Sequence, residues 1–191
     1  MKNKLLEKSL ILSLILIFTI TLSGCGLKQN EENKTVPEAE EGSNQNDFVA
    51  FEYIEKISPE NTVEEINKII GSEGELTDEK YNKYTWKITD NVEMTATYYS
   101  SKTATIKVEI DDKLLKDNNA DLSCAKDLKS EINSTNGIKY DDFVSRIGTK
   151  GYLIEKSSSS VRYIWVNSNG GYIRGTFSLS SGKCTFFSAW A

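Results

Sequence analysis

Thr62-Val63-Glu64-Glu65-Ile66-Asn67-Lys68-Ile69-Ile70-Gly71-Ser72-Glu73-Gly74-Glu75-Leu76 opens the stretch that decides the fold, and Tyr84-Thr85-Trp86 closes it. The same text returns as Lys139-Tyr140-Asp141-Asp142-Phe143-Val144-Ser145-Arg146-Ile147-Gly148-Thr149-Lys150-Gly151-Tyr152-Leu153, followed after a gap by Tyr163-Ile164-Trp165. A shift of 77 positions lays Ile70, Gly71, Gly74 and Leu76 on Ile147, Gly148, Gly151 and Leu153. Two more residues in the gap bring Tyr84 and Trp86 onto Tyr163 and Trp165. An internal repeat sets architecture ahead of any local feature.

Working outward, Phe51, Ile54 and Ile57 make a short apolar stripe at helical spacing, ended by Pro59. Asn61 or Thr62 caps a second helix, with Glu64 or Glu65 at capping-box spacing and Gly71 at its C-terminal end. Val63, Ile66, Ile69 and Ile70 are expected to face inward. Strands are predicted near residues 75–78, 83–88, 92–100 and 103–110, with Thr89-Asp90-Asn91 and Ser101-Lys102 as turns. One face holds Trp86, Met94, Ala96, Ile106 and Val108; the other holds Thr85, Thr95, Thr97, Lys107 and Glu109. The second copy follows the same plan. Leu128 and Ile132 mark one helix, and Tyr140, Phe143 and Ile147 the next. Strands fall near residues 152–155, 161–166, 172–179 and 183–190, with turns at Asn136-Gly137, Asn169-Gly170-Gly171 and Ser181-Gly182. Val161, Tyr163, Trp165, Ile173, Phe177 and Leu179 are expected inside; Arg162, Ile164, Val166, Tyr172 and Arg174 on the open face. In the last strand either Phe186 and Trp190 or Phe187 and Ala189 point outward. Trp86 with Leu76, and Trp165 with Leu153, read as core pairs. The expected fold class is α+β: a tandem repeat of a helix-turn-helix packed on a four-stranded antiparallel sheet, with two copies forming a concave sheet surface.

The chain begins with Lys2, Lys4 and Lys8, an apolar run over residues 10–22, and Leu22-Ser23-Gly24-Cys25. A short apolar run before a small-residue site marks an export signal rather than a membrane span. Leu-Ser-Gly-Cys resembles a bacterial lipoprotein signal, which implies lipidation of Cys25 and attachment to the membrane through it. The expected organisation is a signal peptide at 1–24, a disordered polar tether at 25–47, a first repeat at 48–110, a linker at 111–126 and a second repeat at 127–191. Within the linker, Leu114-Leu115 is the pair expected to pack down.

Removing residues 1–24 takes away three of 23 basic and one of 28 acidic residues, leaving a net charge of −7. That argues against nucleic acid as a partner. The copies differ in sign: residues 51–110 carry 7 Lys and 12 acids, and residues 126–191 carry 9 Lys or Arg and 5 acids. Divergence on two copies of one plan reads either as different surfaces for different work or as drift on solvated faces. Cys124 and Cys184 either close a disulfide in an oxidising compartment or remain two buried free thiols.

The chain has no His, so the commonest general base and metal ligand is missing. Glu64-Glu65 and Asp141-Asp142 sit in first helical turns, where acids favour the macrodipole. Asp111-Asp112 with Asp117 lacks the spacing of a calcium loop. The Ser run at 157–160 has no nucleophile elbow and no His to activate it. No enzyme activity, cofactor or metal is expected. Aromatic and Arg side chains on an uncovered sheet face, in contrast, have the composition of a binding hot spot.

With Ile-Gly-x-x-Gly-x-Leu and Tyr-x-Trp in each copy, residues 47–191 resemble the β-lactamase inhibitory protein family, and most nearly its Gram-positive lipoprotein members of unknown role. The resemblance implies two sheets joined into one concave surface that clasps a target protein. It implies that Asp90, in the turn between the second and third strands, enters the target's pocket. Tyr172-Ile173-Arg174-Gly175 matches the family's aromatic before Arg-Gly. Trp190, eight residues after Gly182, matches an exposed terminal Trp, and this favours Phe186 and Trp190 outward. The family's intra-repeat disulfides are absent, with Leu76/Trp86 and Leu153/Trp165 in their place, and the position of a further exposed aromatic of the family falls near Ser180.

The expected function is that of a lipid-anchored, extracytoplasmic, non-enzymatic binding module with an unidentified protein partner, held by Asp90, Arg162, Tyr172, Arg174, Phe186 and Trp190. Inhibition of a β-lactamase or related cell-wall enzyme is one form of it. The alternative is a structural or assembly lipoprotein of the cell envelope.

Overall fold

Thr62 and Gly71 bracket a helix. Thr62 Oγ1 accepts from the Glu65 amide at 3.3 Å and the Glu65 carboxylate accepts from the Thr62 amide at 2.9 Å, a full capping box. Gly71 ends the helix at φ +84°, a left-handed conformation that favours glycine. Lys139 and Gly148 hold the same positions in the second half, where the N-terminal cap has no side-chain hydrogen bond. A computed structural model describes residues 45–99, 103–135 and 137–190. The signal peptide, Cys25, the tether as far as residue 44, the Ser101-Lys102 turn and Asn136 lie outside the described residues.

The elements are α1 (Val49–Lys56), α2 (Val63–Ile70), β1 (Glu75–Asp78), β2 (Lys83–Lys87), β3 (Val92–Tyr98) and β4 (Ala104–Ile110). After two short 3-10 turns come α3 (Ala125–Thr135), α4 (Tyr140–Ile147), β5 (Tyr152–Lys156), β6 (Ser160–Val166), β7 (Tyr172–Ser178) and β8 (Cys184–Trp190). The eight strands form one antiparallel sheet in sequence order. This overturns the expected fold of two helix-turn-helix units, each on its own four-stranded sheet. The join is the β4–β5 pair, with Ile106 opposite Lys156 and Lys107 opposite Glu155. Two separate sheets would leave β4 and β5 as open edges, and an unpaired edge invites wrong pairing. Helix α1 packs on β4 and β5 together. The Lys156 ammonium donates to the carbonyls of Ile57 at 2.9 Å and Glu55 at 3.3 Å, a cation at the C-terminal end of α1.

The twice-written Gly and Trp meet in space. A Cβ on Gly74 would lie 2.4 Å from the Trp86 ring, and one on Gly151 2.7 Å from the Trp165 ring. Each Trp is buried and its indole N–H is satisfied: Trp86 donates to Asn67 Oδ1 at 2.8 Å, Trp165 to the Thr149 carbonyl at 3.0 Å. The leucines do not follow. Leu76 is exposed, so it is no core partner of Trp86. Leu153 is buried but belongs to a different apolar cluster from Trp165. Leu179, expected inside, is exposed in the turn after β7. Of the α2 residues expected inward, Ile66 is buried and Val63, Ile69 and Ile70 are half-buried.

A larger correction concerns Ile164 and Val166. Strict alternation puts them on the open face, yet they are 0% and 4% exposed. Linker residue Leu115 is buried in the same cluster. Asn118 fastens the linker there: its amide donates to the Val166 carbonyl at 3.2 Å, and the Val166 amide donates to Asn118 Oδ1 at 3.0 Å. The linker thus covers part of a face that alternation alone leaves wet.

Burial pushes the phenols of Tyr98 and Tyr140 up to about 12. The Tyr98 hydroxyl also donates to the Asn61 carbonyl at 2.8 Å. The unfolded chain loses these protons first, near the ordinary value of 10.0. Their contribution to stability is whole below that pH and is lost as pH rises through the folded values. An ultraviolet titration of the native protein should show Tyr98 and Tyr140 ionising well after the exposed phenols, with Tyr152 and Tyr163, which burial also raises, delayed beside them, and stability falling across the same window. Release of all tyrosines together near the ordinary value would contradict it.

Candidate functional site

The register carries one row of side chains across the whole sheet: Glu75, Thr85, Thr95, Lys107, Glu155, Arg162, Thr176 and Phe186 are successive cross-strand partners. Partners opposite each other in an antiparallel sheet share a face. The next rows on that face in the second half are Ile164, Arg174 and Ser188, then Val166, Tyr172 and Trp190. Arg162, Tyr172, Arg174, Phe186 and Trp190 therefore lie together. The last strand turns Phe186 (58% exposed) and Trp190 (72% exposed) outward, while Phe187 packs on the second core.

The cations on this face are held. Arg162 donates from Nη1 to Glu155 at 2.8 Å and from Nε to Thr176 Oγ1 at 2.9 Å. Lys107 pairs with Glu109 at 2.7 Å. Arg174 pairs through Nη2 with Asp112 of the linker, and its guanidinium carbon lies 4.7 Å from the centre of the Tyr172 ring, a cation–π arrangement. Trp190 meets Tyr172 at 6.5 Å between ring centres, edge to face. Between the linker and these aromatics runs a groove of ≈ 480 Å³, lined by Asp112, Leu115, Val166, Tyr172 and Trp190 among others. Asp112, Lys107, Glu109 and Glu155 are the members that sequence reasoning missed as site residues. The alternation of β4 placed Lys107 and Glu109 on the open face, but nothing local tied them to Arg162.

Asp90 is not part of this cluster. It sits exposed in the β2–β3 hairpin, paired with Lys87 at 2.7 Å. The hydrogen bond from Lys87 holds its carboxyl below the usual range. With the strands in sequence order, five to six spacings separate it from β8, roughly 25 Å at ~4.8 Å each.

Cys124 and Cys184 are free thiols. Cys124 donates to the Asp121 carbonyl at 3.3 Å and Cys184 to the Phe186 carbonyl at 3.1 Å. Burial raises both thiol pKa values, Cys184 to about 11, which suppresses the nucleophilic thiolate. Among the described residues no group of three or more His, Cys, Asp or Glu is placed to hold a metal ion. Nor is any of their helices long and apolar enough to cross a membrane. Comparison with protein-family models, with curated proteins and with solved structures finds no match.

Proposed function

We propose that this chain is a lipid-anchored, extracytoplasmic lipoprotein that works as a non-enzymatic protein-binding module through the β6–β8 end of its sheet. The carrying observation is two large aromatics, Phe186 and Trp190, exposed on one face beside Tyr172, Arg162 and Arg174. Aromatic and Arg side chains dominate binding hot spots, the rings because they bury much surface with few rotatable bonds and Arg because its guanidinium makes directed, charge-assisted hydrogen bonds. Leu22-Ser23-Gly24-Cys25 supports the anchor. The resemblance to β-lactamase inhibitory proteins makes a β-lactamase or related cell-wall enzyme the first target to try. Asp90, far along the sheet, is at most an outlying contact.

The test is photo-crosslinking in intact cells, with the full chain carrying a photoreactive residue at position 186. A single captured protein is expected. Tyr172→Ala and Trp190→Ala should each weaken its binding by about 2 kcal/mol or more, roughly thirty-fold. Capture unchanged in both variants would remove this face from the account.

A further inference from the structure

The sheet has two edges, and they are guarded unequally. β1 is four residues long, carries Glu75 and Asp78, and shifts register against β2 between Leu76 and Asp78. Shortness, charge and a bulge are the devices that keep an edge strand from pairing with other chains. β8 has seven residues, Cys184-Thr185-Phe186-Phe187-Ser188-Ala189-Trp190, with no charge, Pro or Gly. Its register shift lies between Cys184 and Phe186; from Phe186 to Trp190 its pairing with β7 is regular. An edge strand turns the N–H and C=O of alternate residues away from its neighbour, where they lack a ladder partner. Among the described residues, no backbone group bonds to β8 on that outer side beyond Cys184.

The chain itself uses the start of this edge. The Cys184 amide donates to the Ile138 carbonyl at 2.7 Å, and Lys139 forms a single antiparallel bridge with Lys183. The segment then turns into α4 and leaves the edge open from Phe186 onward. Behind the edge, on the side that Phe187 turns to the second core, runs a groove of ≈ 270 Å³ lined by Ala125, Lys126 and Lys129 of α3 and by Phe187, Ser188 and Ala189 of β8. Lys126 and Lys129 are exposed, and among the described residues neither has a carboxylate within ion-pair distance. In front stand the exposed Phe186 and Trp190.

We propose that the outer edge of β8, from Phe186 to Trp190, receives one extended segment of the partner protein as a ninth strand of the sheet. The proposal rests on the binding function put forward above and says how the partner is held. Backbone hydrogen bonds supply the affinity, and alternate side chains of the added strand supply the choice. Those on the open face lie beside Phe186 and Trp190 and are apolar, since neighbouring strands touch through the side chains that share a face. Those on the other face enter the groove, where an Asp or Glu meets Lys126 and Lys129 beside the Phe187 ring. The recognised segment is thus apolar on one face and acidic on the other. A second copy of this chain is the poorer occupant. Its β8 carries no acid for the lysines, and it would bring its own α3 to the same side, setting Lys126 and Lys129 against their equals.

The probe is the peptide acetyl-Val-Glu-Val-Thr-Val-amide, given to the nitrogen-15-labelled full chain in detergent, with hydrogen exchange of the β8 amides as the reading. Without peptide, alternate amides between Phe186 and Trp190 should exchange freely while that of Cys184 is protected. With peptide, the open amides should slow saturably, by about ten-fold or more. Two N-methylated forms separate ladder bonding from side-chain contact. Methylation at the three valines and methylation at Glu and Thr silence opposite edges of the added strand. One form should bind and the other should not. Lys126→Glu together with Lys129→Glu should weaken the peptide about five-fold and favour the analogue with Lys in place of Glu. Open amides that stay fast at millimolar peptide, or two methylated forms that act alike, would overturn strand addition without touching the binding function, which the Trp190→Ala capture decides separately. An acid preference unchanged in the double variant would overturn the acidic face of the segment. Protection that rises with protein concentration and needs no peptide would overturn the partner strand in favour of a second copy.

Discussion

Trp165→Ala is expected to remove about 3–5 kcal/mol of folding stability. The side chain is 0% exposed. Its ring lies 5.6 Å from Phe143, 6.0 Å from Tyr140, 6.0 Å from Tyr163 and 6.4 Å from Phe177, centre to centre. Truncation removes the largest member of that aromatic cluster and leaves a cavity that rigid rings cannot collapse to fill. It also strips the Thr149 carbonyl of its donor. Against a typical total of about 5–15 kcal/mol, such a loss takes much of what holds a domain together. Urea denaturation followed by circular dichroism gives the number, and a loss below about 1 kcal/mol would show that the ring is not the pin of the second core.

Gly74→Ala has the opposite origin and should cost about 1–3 kcal/mol by overpacking. The added methyl would sit 2.4 Å from Trp86 Cε2, and the ring cannot retreat because its N–H is tied to Asn67. Asn67 Oδ1 also accepts from the Gly74 amide at 3.0 Å, so the backbone is held from the same point. The diagnostic measurement is a double-mutant cycle. In a Trp86→Leu background the Gly74→Ala penalty should shrink toward zero, because the atoms it collides with are gone. Gly71→Ala should show no such relief, since a Cβ there meets open space and its penalty is purely the left-handed backbone. Equal penalties for Gly74→Ala with and without the Trp86 ring would break the pairing of the two motifs.

These two expectations explain why the repeated text was readable. Ile-Gly-x-x-Gly-x-Leu holds two glycines for two different reasons. The first ends a helix at positive φ; the second yields its Cβ volume to a Trp, Gly74 to Trp86 and Gly151 to Trp165. Both are local demands, and each leaves a mark on the residue that meets it. The strands were legible for a similar reason. Alternation in β2, β3 and β4 buried Trp86, Met94, Ala96, Ile106 and Val108 on the expected face. The site was half legible. Tyr172, Arg174, Phe186 and Trp190 share a face because period two and the hairpin turns set their facing and register. Asp90 was placed by the family resemblance alone, and the strand order puts it far from the rest.

Taken alone, the sequence determined the helices, their caps, the strands, most of their facing and the glycine–tryptophan packing of each half. All of these are set by residues near one another in the chain, through backbone dihedrals, periodicity and short contacts. Only the tertiary structure decided that the eight strands are one sheet. That depends on two rungs, Ile106 with Lys156 and Lys107 with Glu155, between residues about fifty positions apart, and neither rung has a local signature. The same join decided that α1 spans β4 and β5 and that the linker lies over Ile164 and Val166. Such features arise from what two distant edges leave between them when they meet, and the free energy that selects them is the burial of surfaces that neither half presents by itself.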